Sequence, residues 1–156
     1  MTKIQPASSL DLSEVLQWLK VEEDEVGEGF YCNRNVIAKS FEAGEGLCAV
    51  EEGQIVGFVI FQLFTDSGDV NIVEVKPSAR RRGIGPQLLT AAVKYLREQG
   101  AKYVDAECTS QDGEALCRRQ EFEDYVDPRN HRNEWDNPTL RLYLSSWRPK
   151  PPHPWA

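Results

Sequence analysis

VEVKPSARRRGIGPQLL, residues 73–89, decides how the rest of the chain is read. A strand ends at Val75, because Pro77 cannot donate to a sheet ladder. Beyond the turn, Leu88, Leu89, Ala92, Val93 and Leu96 recur at helical spacing, with Pro86 expected at the first helical position and Gly100 at the end. A strand, a glycine-rich turn and a helix thus follow one another directly. The start of a helix presents unpaired N–H groups and the positive end of its dipole, which together favour a phosphate. Gly83 and Gly85 would let such a ligand approach the backbone closely, and Arg80, Arg81 and Arg82 add side chains suited to bidentate phosphate contacts. The turn is not the dinucleotide fingerprint, since Gln87 and Leu88 occupy the stretch where its third glycine belongs, and it lacks the Lys-Ser/Thr pair of a P-loop. An arginine-rich surface turn whose glycines merely reverse the chain stays open on these residues alone.

Upstream, the apolar runs LCAVE, IVGFVIFQLF and VNIVEV are separated by EGQ and TDSGD, predicting three strands joined by tight hairpins. Before them, Lys3 to Ala7 reads as a short strand, and Leu12, Val15, Leu16 and Leu19 form the stripe of an amphipathic helix. Val21 to Gly29 reads as an acidic loop or frayed helix end, too polar for the core. A second helix is expected from about Asn33, with Gly44 as its C-terminal cap. Downstream, strands are expected at Lys102–Cys108, Phe122–Val126 and around Leu140–Leu144, with a short helix over Asp112–Gln120. The fold class is α/β (α+β), a mixed, mostly antiparallel sheet of six to seven strands with helices on both faces. Residues 1–146 read as one domain, and the Pro-rich residues 147–156 as an extended tail.

A chain of 156 residues suits one domain of the usual 100 to 200 residues, large enough to bury about 70% of its unfolded surface without disulfides or metal. Eighteen Lys plus Arg against 25 Asp plus Glu give a net charge of -7, which disfavours a nucleic-acid or anionic-membrane partner. No apolar run approaches a membrane span, and the N-terminus lacks a secretory pattern, so the expected location is cytoplasmic. Cys32, Cys48, Cys108 and Cys117 form no C-x-x-C pair, and only His131 and His153 accompany them, so no metal site is expected. Cys32, Cys48 and Cys108 lie in strand or helix patterns and read as small buried hydrophobes.

The run VEVKPSARRRGIG resembles the acetyl-CoA-binding signature of the GNAT acetyltransferase superfamily, in which a strand and V-x-P precede Arg/Gln-x-x-Gly-x-Gly/Ala at the start of a helix. Arg80, Gly83 and Gly85 match that spacing, and the element order agrees over roughly residues 3 to 145. The resemblance implies a GNAT fold whose fourth and fifth strands splay apart to admit acetyl-CoA as co-substrate. It implies that Val73, Glu74 and Val75 border the pantetheine arm, while Arg80, Arg81, Arg82, Gly83, Ile84 and Gly85 cradle the pyrophosphate. It also implies an acyltransferase moving an acetyl group to a primary amine of a small molecule or peptide by direct attack in a ternary complex. Two departures stand out. CRRQEF replaces the family's frequent Tyr-x-x-x-Gly-Phe, putting Cys117 at the tyrosine that often serves as general acid, and Pro86 removes a backbone donor.

An amine attacks a thioester only when neutral, so a base is required. Asp69 aligns with a catalytic glutamate of some relatives, and Glu74 is a second carboxylate on the same strand; solvated turn and strand residues are their plainer readings. Cys117 is an acid candidate or simply a core residue, with Tyr125 and Tyr143 as substitutes. On the acceptor side implied by the resemblance, Glu22, Glu23, Asp24, Glu25 and Glu28 would draw a cationic amine if they are more than solvated surface. Arg129, His131, Arg132 and Trp135 mark a second loop suited to an acidic or aromatic acceptor. The rival reading is a catalytically silent acyl-CoA-binding or protein-interaction module on the same fold. A homodimer is retained as an assembly option.

Overall fold

The computed structural model describes residues 2–126 and 137–144. The loop residues Arg129, His131, Arg132 and Trp135, the domain boundary at 146 and the tail 147–156 lie outside the described residues. The elements run β1 (Lys3–Pro6), α1 (Leu12–Val26), α2 (Arg34–Glu42), β2 (Gly46–Glu51), β3 (Gln54–Leu63), β4 (Ser67–Val75), α3 (Ile84–Glu98), β5 (Tyr103–Glu107), α4 (Gln111–Arg119), β6 (Glu123–Asp124) and β7 (Thr139–Tyr143). They build one sheet in the order β1-β2-β3-β4-β5-β7-β6. Among the described residues, only β4 and β5 pair in parallel. The β2–β3 hairpin turns through Glu52 and Gly53, both at positive φ (50° and 76°), as the tight hairpin turn requires.

Each sheet face has its own core. On one, Val59, Phe61, Val70, Val104 and Leu140 pack against Leu88, Leu89, Ala92 and Leu96 of α3, so this core runs continuously from the early strands to β7. On the other, Phe58, Ile60 and Ile72 meet Val15, Trp18 and Leu19 of α1 and Ile37 and Phe41 of α2. Among the described residues this second core stops at β4.

Four local expectations change. The acidic stretch after Val21 is mostly helix: α1 continues to Val26, and Gly27 caps it by donating to the Glu23 carbonyl at 2.8 Å. The buried positions Val15, Trp18, Leu19 and Glu22 fall at i, i+3, i+4 and i+7, so the core stripe runs into the acidic run instead of stopping before it. Helix α3 starts at Ile84, two residues before Pro86, because Gly83 adopts a left-handed φ of 79° that turns the chain into the helix. The sixth strand shrinks to Glu123–Asp124. Cys32 is exposed, in a helical turn preceding α2, whereas Cys48, Cys108 and Cys117 are buried.

Candidate active site

A wedge opens where β4 and β5 part. The two strands pair from Ser67↔Tyr103 to Val70↔Ala106, and their register ends there although β4 continues to Val75. Against β3 the register shifts between Ile60↔Ile72 and Phe61↔Val70, leaving Asn71 as an extra residue in β4. Such a bulge bends a strand and sharpens its twist, which accounts for the parting at this position. Asp69 stands at the next-to-last pair, opposite Asp105, while Val73, Glu74 and Val75 lie along the stretch of β4 that β5 does not pair.

The wedge leads to the turn. Ile84 and Gly85 occupy the first turn of α3, whose N–H groups have no intrahelical partner; Pro86, third in the helix, offers none. A Cβ on Gly83 would meet nothing within 4 Å, so its glycine answers to φ and not to crowding. Gly85 needs glycine for neither reason: its φ is ordinary, and a Cβ would come no closer than 3.9 Å to Leu116 or Val75. The space above it is therefore free for a ligand. At 66°, the φ of Arg81 is left-handed, a conformation that costs a non-glycine residue on the order of 1 kcal/mol.

The three arginines do not all face outward. Arg80 pairs with Glu22 of α1 and with Glu74 of β4 (Nη2 to Oε1, 2.5 Å), and its Nε donates to the Val75 carbonyl at 2.9 Å. Glu22 and Glu74 are only 5% and 8% exposed, so Arg80 closes over two buried carboxylates at the base of the turn. Arg82 pairs with Glu51 of β2, which also accepts from the Thr2 hydroxyl at 2.5 Å. The positive charge read from Arg80 to Arg82 is thus largely matched by carboxylates. Arg81 alone of the three has no ion-pair partner among the described residues.

Burial and the nearby Glu22 push the Glu74 carboxyl up to about 7, against the opposing pull of Arg80. Asp69 is half-buried and also shifted upward, by burial first and the Asp105 charge second, with Arg141 acting the other way. Cys117 belongs to the core under α3, where burial pushes its thiol up to about 12. At neutral pH it is a protonated, inert thiol.

The structure brings Asp69, Glu74 and the 80–85 turn along one groove, while Cys117 lies in the core beside Cys108. Sequence reasoning missed Glu51, Asp105 and Arg141, and it put Glu22 in the exposed acidic cluster whereas the structure buries it against Arg80. Glu22 carried a signal, the i+7 position of the α1 stripe. Arg141 carried none, because it alternates with Leu140 and Leu142 and reads as an ordinary outward strand residue.

Residues 12–122 match the family model described as Acetyltransferase (GNAT) family. No curated protein matches the sequence. Among solved structures, a Drosophila melanogaster polyamine N-acetyltransferase that forms N-acetylagmatine superposes with a TM-score of 0.72, at 14% identity over 92% of this chain and 100% of that one. A GNAT family acetyltransferase from Brucella melitensis in complex with acetyl-CoA gives 0.71 at 20% identity, covering 96% of this chain and 92% of that one. The ribosomal-protein-alanine N-acetyltransferase of Brucella melitensis gives 0.67 at 24% identity, over 91% and 99%. At these identities the likeness is one of fold.

Proposed function

Because the chain belongs to the GNAT acetyltransferase family, we propose that it transfers the acetyl group of acetyl-CoA to a primary amine of a small molecule or peptide, within a ternary complex. The observation that carries this reading is the continuity of the groove: a wedge bordered by Val73, Glu74 and Val75 runs from Asp69 to a helix start with free N–H groups and an unfilled space at Gly85. In this reading Gly83, Ile84 and Gly85 hold the pyrophosphate through their backbone, Arg81 adds charge, and Arg80 and Arg82 fix the turn through Glu22, Glu74 and Glu51.

Bound acetyl-CoA supplies the activated acyl group and a thiolate leaving group of low basicity, for which an acid catalyst helps little. Asp69 takes a proton from the acceptor ammonium, directly or through water, and frees the lone pair that attacks. When the C–N bond has formed and the C–S bond broken, the second amine proton passes to the thiolate and Asp69 returns its own to solvent. Glu74, tied to Arg80, is the second carboxylate of the groove and acts on the turn. Cys117 contributes packing.

The acceptor we propose is cationic. Asp24, Glu25 and Glu28 lie exposed at the end of α1 with Glu23 beside them, and the fold neighbour from Drosophila acts on polyamines. The four cysteines are free, which fits a reducing, cytoplasmic setting. Loss of the phenol at position 117 favours the rival of a silent acyl-CoA-binding module. One experiment separates the two: free-thiol release from acetyl-CoA across a panel of amines, with coenzyme binding measured calorimetrically on the same sample. Binding with release establishes the transferase, binding without release the module, and no binding at millimolar coenzyme refutes both.

A further inference from the structure

Beyond Asp69, the same sheet face carries a polar and aromatic cluster. Asp69 of β4 is in register with Asp105 of β5, and Asp105 with Arg141 of β7. The Arg141 guanidinium grips Asp105 with two bonds, Nε to Oδ1 at 2.7 Å and Nη2 to Oδ2 at 3.0 Å. It is also stacked, 3.5 Å from the Tyr125 ring centre and 3.9 Å from that of Tyr103. Only 6% of Arg141 is exposed. Two carboxylates side by side would repel, and both ionise only if something cancels one of them.

Resting on the reading of Asp69 as base, we propose that Arg141 is a positioning residue for acetyl transfer: clamped to Asp105 and stacked on tyrosines, it neutralises the carboxylate beside Asp69 and leaves Asp69 to take the acceptor's proton. The clamp is rigid by construction, since a bidentate planar pair and stacked rings fix the guanidinium in orientation as well as place. The groups facing Asp69 and its neighbours, element by element, are Gln62 of β3, Tyr103 and Asp105 of β5, Glu123 of β6 with Tyr125 just after it, and Arg141 and Tyr143 of β7. Of the charges among them, Asp105 and Arg141 are the two that act on Asp69, and they act with opposite sign.

The test is the pH dependence of kcat/KM in the full-length protein, with two amines of different basicity so that a limb set by the substrate is recognised by its movement with the amine. Arg141→Gln exposes Asp69 to an uncompensated Asp105, so the acid limb moves to higher pH; at the pH where the unmodified enzyme is half-maximal, the rate falls roughly ten-fold and recovers at higher pH. Asp105→Asn moves the limb to lower pH, and Arg141→Lys restores it towards the original position. Should Arg141→Gln fail to fold because a buried carboxylate is left unpaired, the double variant Arg141→Gln/Asp105→Asn removes both charges and is predicted to place the limb above that of Asp105→Asn. Limbs that stay in place while plateau rates fall overturn the proposal. Asp69→Asn separates the layers: if it abolishes the limb while Arg141 and Asp105 variants leave it fixed, the base stands and the clamp falls. If Asp69→Asn leaves rate and profile untouched, the base reading itself fails and takes the clamp with it.

Discussion

Replacing Arg80 by Met removes the cation between two buried carboxylates while keeping a side chain of similar length. Glu74 sits at about 7 in the folded protein against an ordinary 4.5, so the folded chain holds this proton more tightly than the unfolded chain does. By linkage, the stability that Glu74 contributes is fully present below about 4.5, declines as pH rises towards 7, and is absent above it. The displacement corresponds to about 3 kcal/mol at ~1.4 kcal/mol per pH unit. Arg80 opposes it, so Arg80→Met enlarges the alkaline deficit. Removing one partner of a buried pair costs ~3–5 kcal/mol, but the Arg80 side chain is 46% exposed and solvent screens part of that. We expect a loss of about 2 kcal/mol at pH 8, lowering Tm by ~4–8 °C, and a loss below about 1 kcal/mol at pH 5.5. Urea unfolding at the two pH values measures this, with calorimetric titration of coenzyme at low and high salt beside it. The salt dependence of coenzyme affinity should match that of the unmodified protein. A variant equally stable at both pH values whose coenzyme affinity has lost its salt dependence would make Arg80 a phosphate ligand and refute the buried-bridge account.

Arg81→Gln should do the opposite, leaving stability within about 0.5 kcal/mol and flattening the salt dependence of coenzyme binding. Gly83→Ala should cost roughly 1 kcal/mol through its left-handed φ, whereas Gly85→Ala should leave the unfolding midpoint nearly unmoved and weaken coenzyme binding, read by the same two assays. One thiol of the four, Cys32, should react quickly with Ellman's reagent in the native protein, and Cys117→Ala should retain turnover with no acyl-enzyme in intact mass spectra; an acylated Cys117 overturns its assignment to packing. Replacing Glu23, Asp24, Glu25 and Glu28 by their amides should raise KM for a polyamine at low salt, with kcat little changed, because distant charges bind substrate and transition state alike. An equal response from a neutral-tailed amine would assign these residues to solvated surface.

The groove was legible because it is local: a strand, a proline, two glycines and an amphipathic helix follow one another within a short stretch, and each constrains the backbone by itself. The hairpins were legible for the same reason. What escaped were charges whose partners are remote in sequence. The sequence reads Arg80 as a phosphate ligand and gives no hint of its pairing with Glu22, 58 residues away. The Asp105–Arg141 pair spans 36 residues, and each member alone looks like an ordinary charged strand residue. The start of α3 differs from the expected one because Pro86, favoured at a first helical position, is equally tolerated at the third, where its missing N–H costs no intrahelical bond. The polarity of the acidic run after Val21 argues against helix and core, yet glutamate is a good helix former and one buried glutamate needs only one cation.

The inequality of the two cores sets what the molecule is free to change. Beneath α3 a single apolar layer spans both sides of the strand parting and acts as the spine of a half-open book, with β4 and β5 joined along a seam of only four residue pairs. On the opposite face the apolar packing ends at β4, so the pages past it carry ion pairs and rings instead of a continuous core. Alterations on that face, the acceptor side of the proposed reading, can therefore be made one residue at a time without reopening the layer that holds the sheet together. On the proposed reading, coenzyme recognition lies nearer the spine, where the first turn of α3 is continuous with the helix that forms it. If the two sites lie as proposed, a lineage built on this plan exchanges one acceptor for another more cheaply than it exchanges its acyl donor.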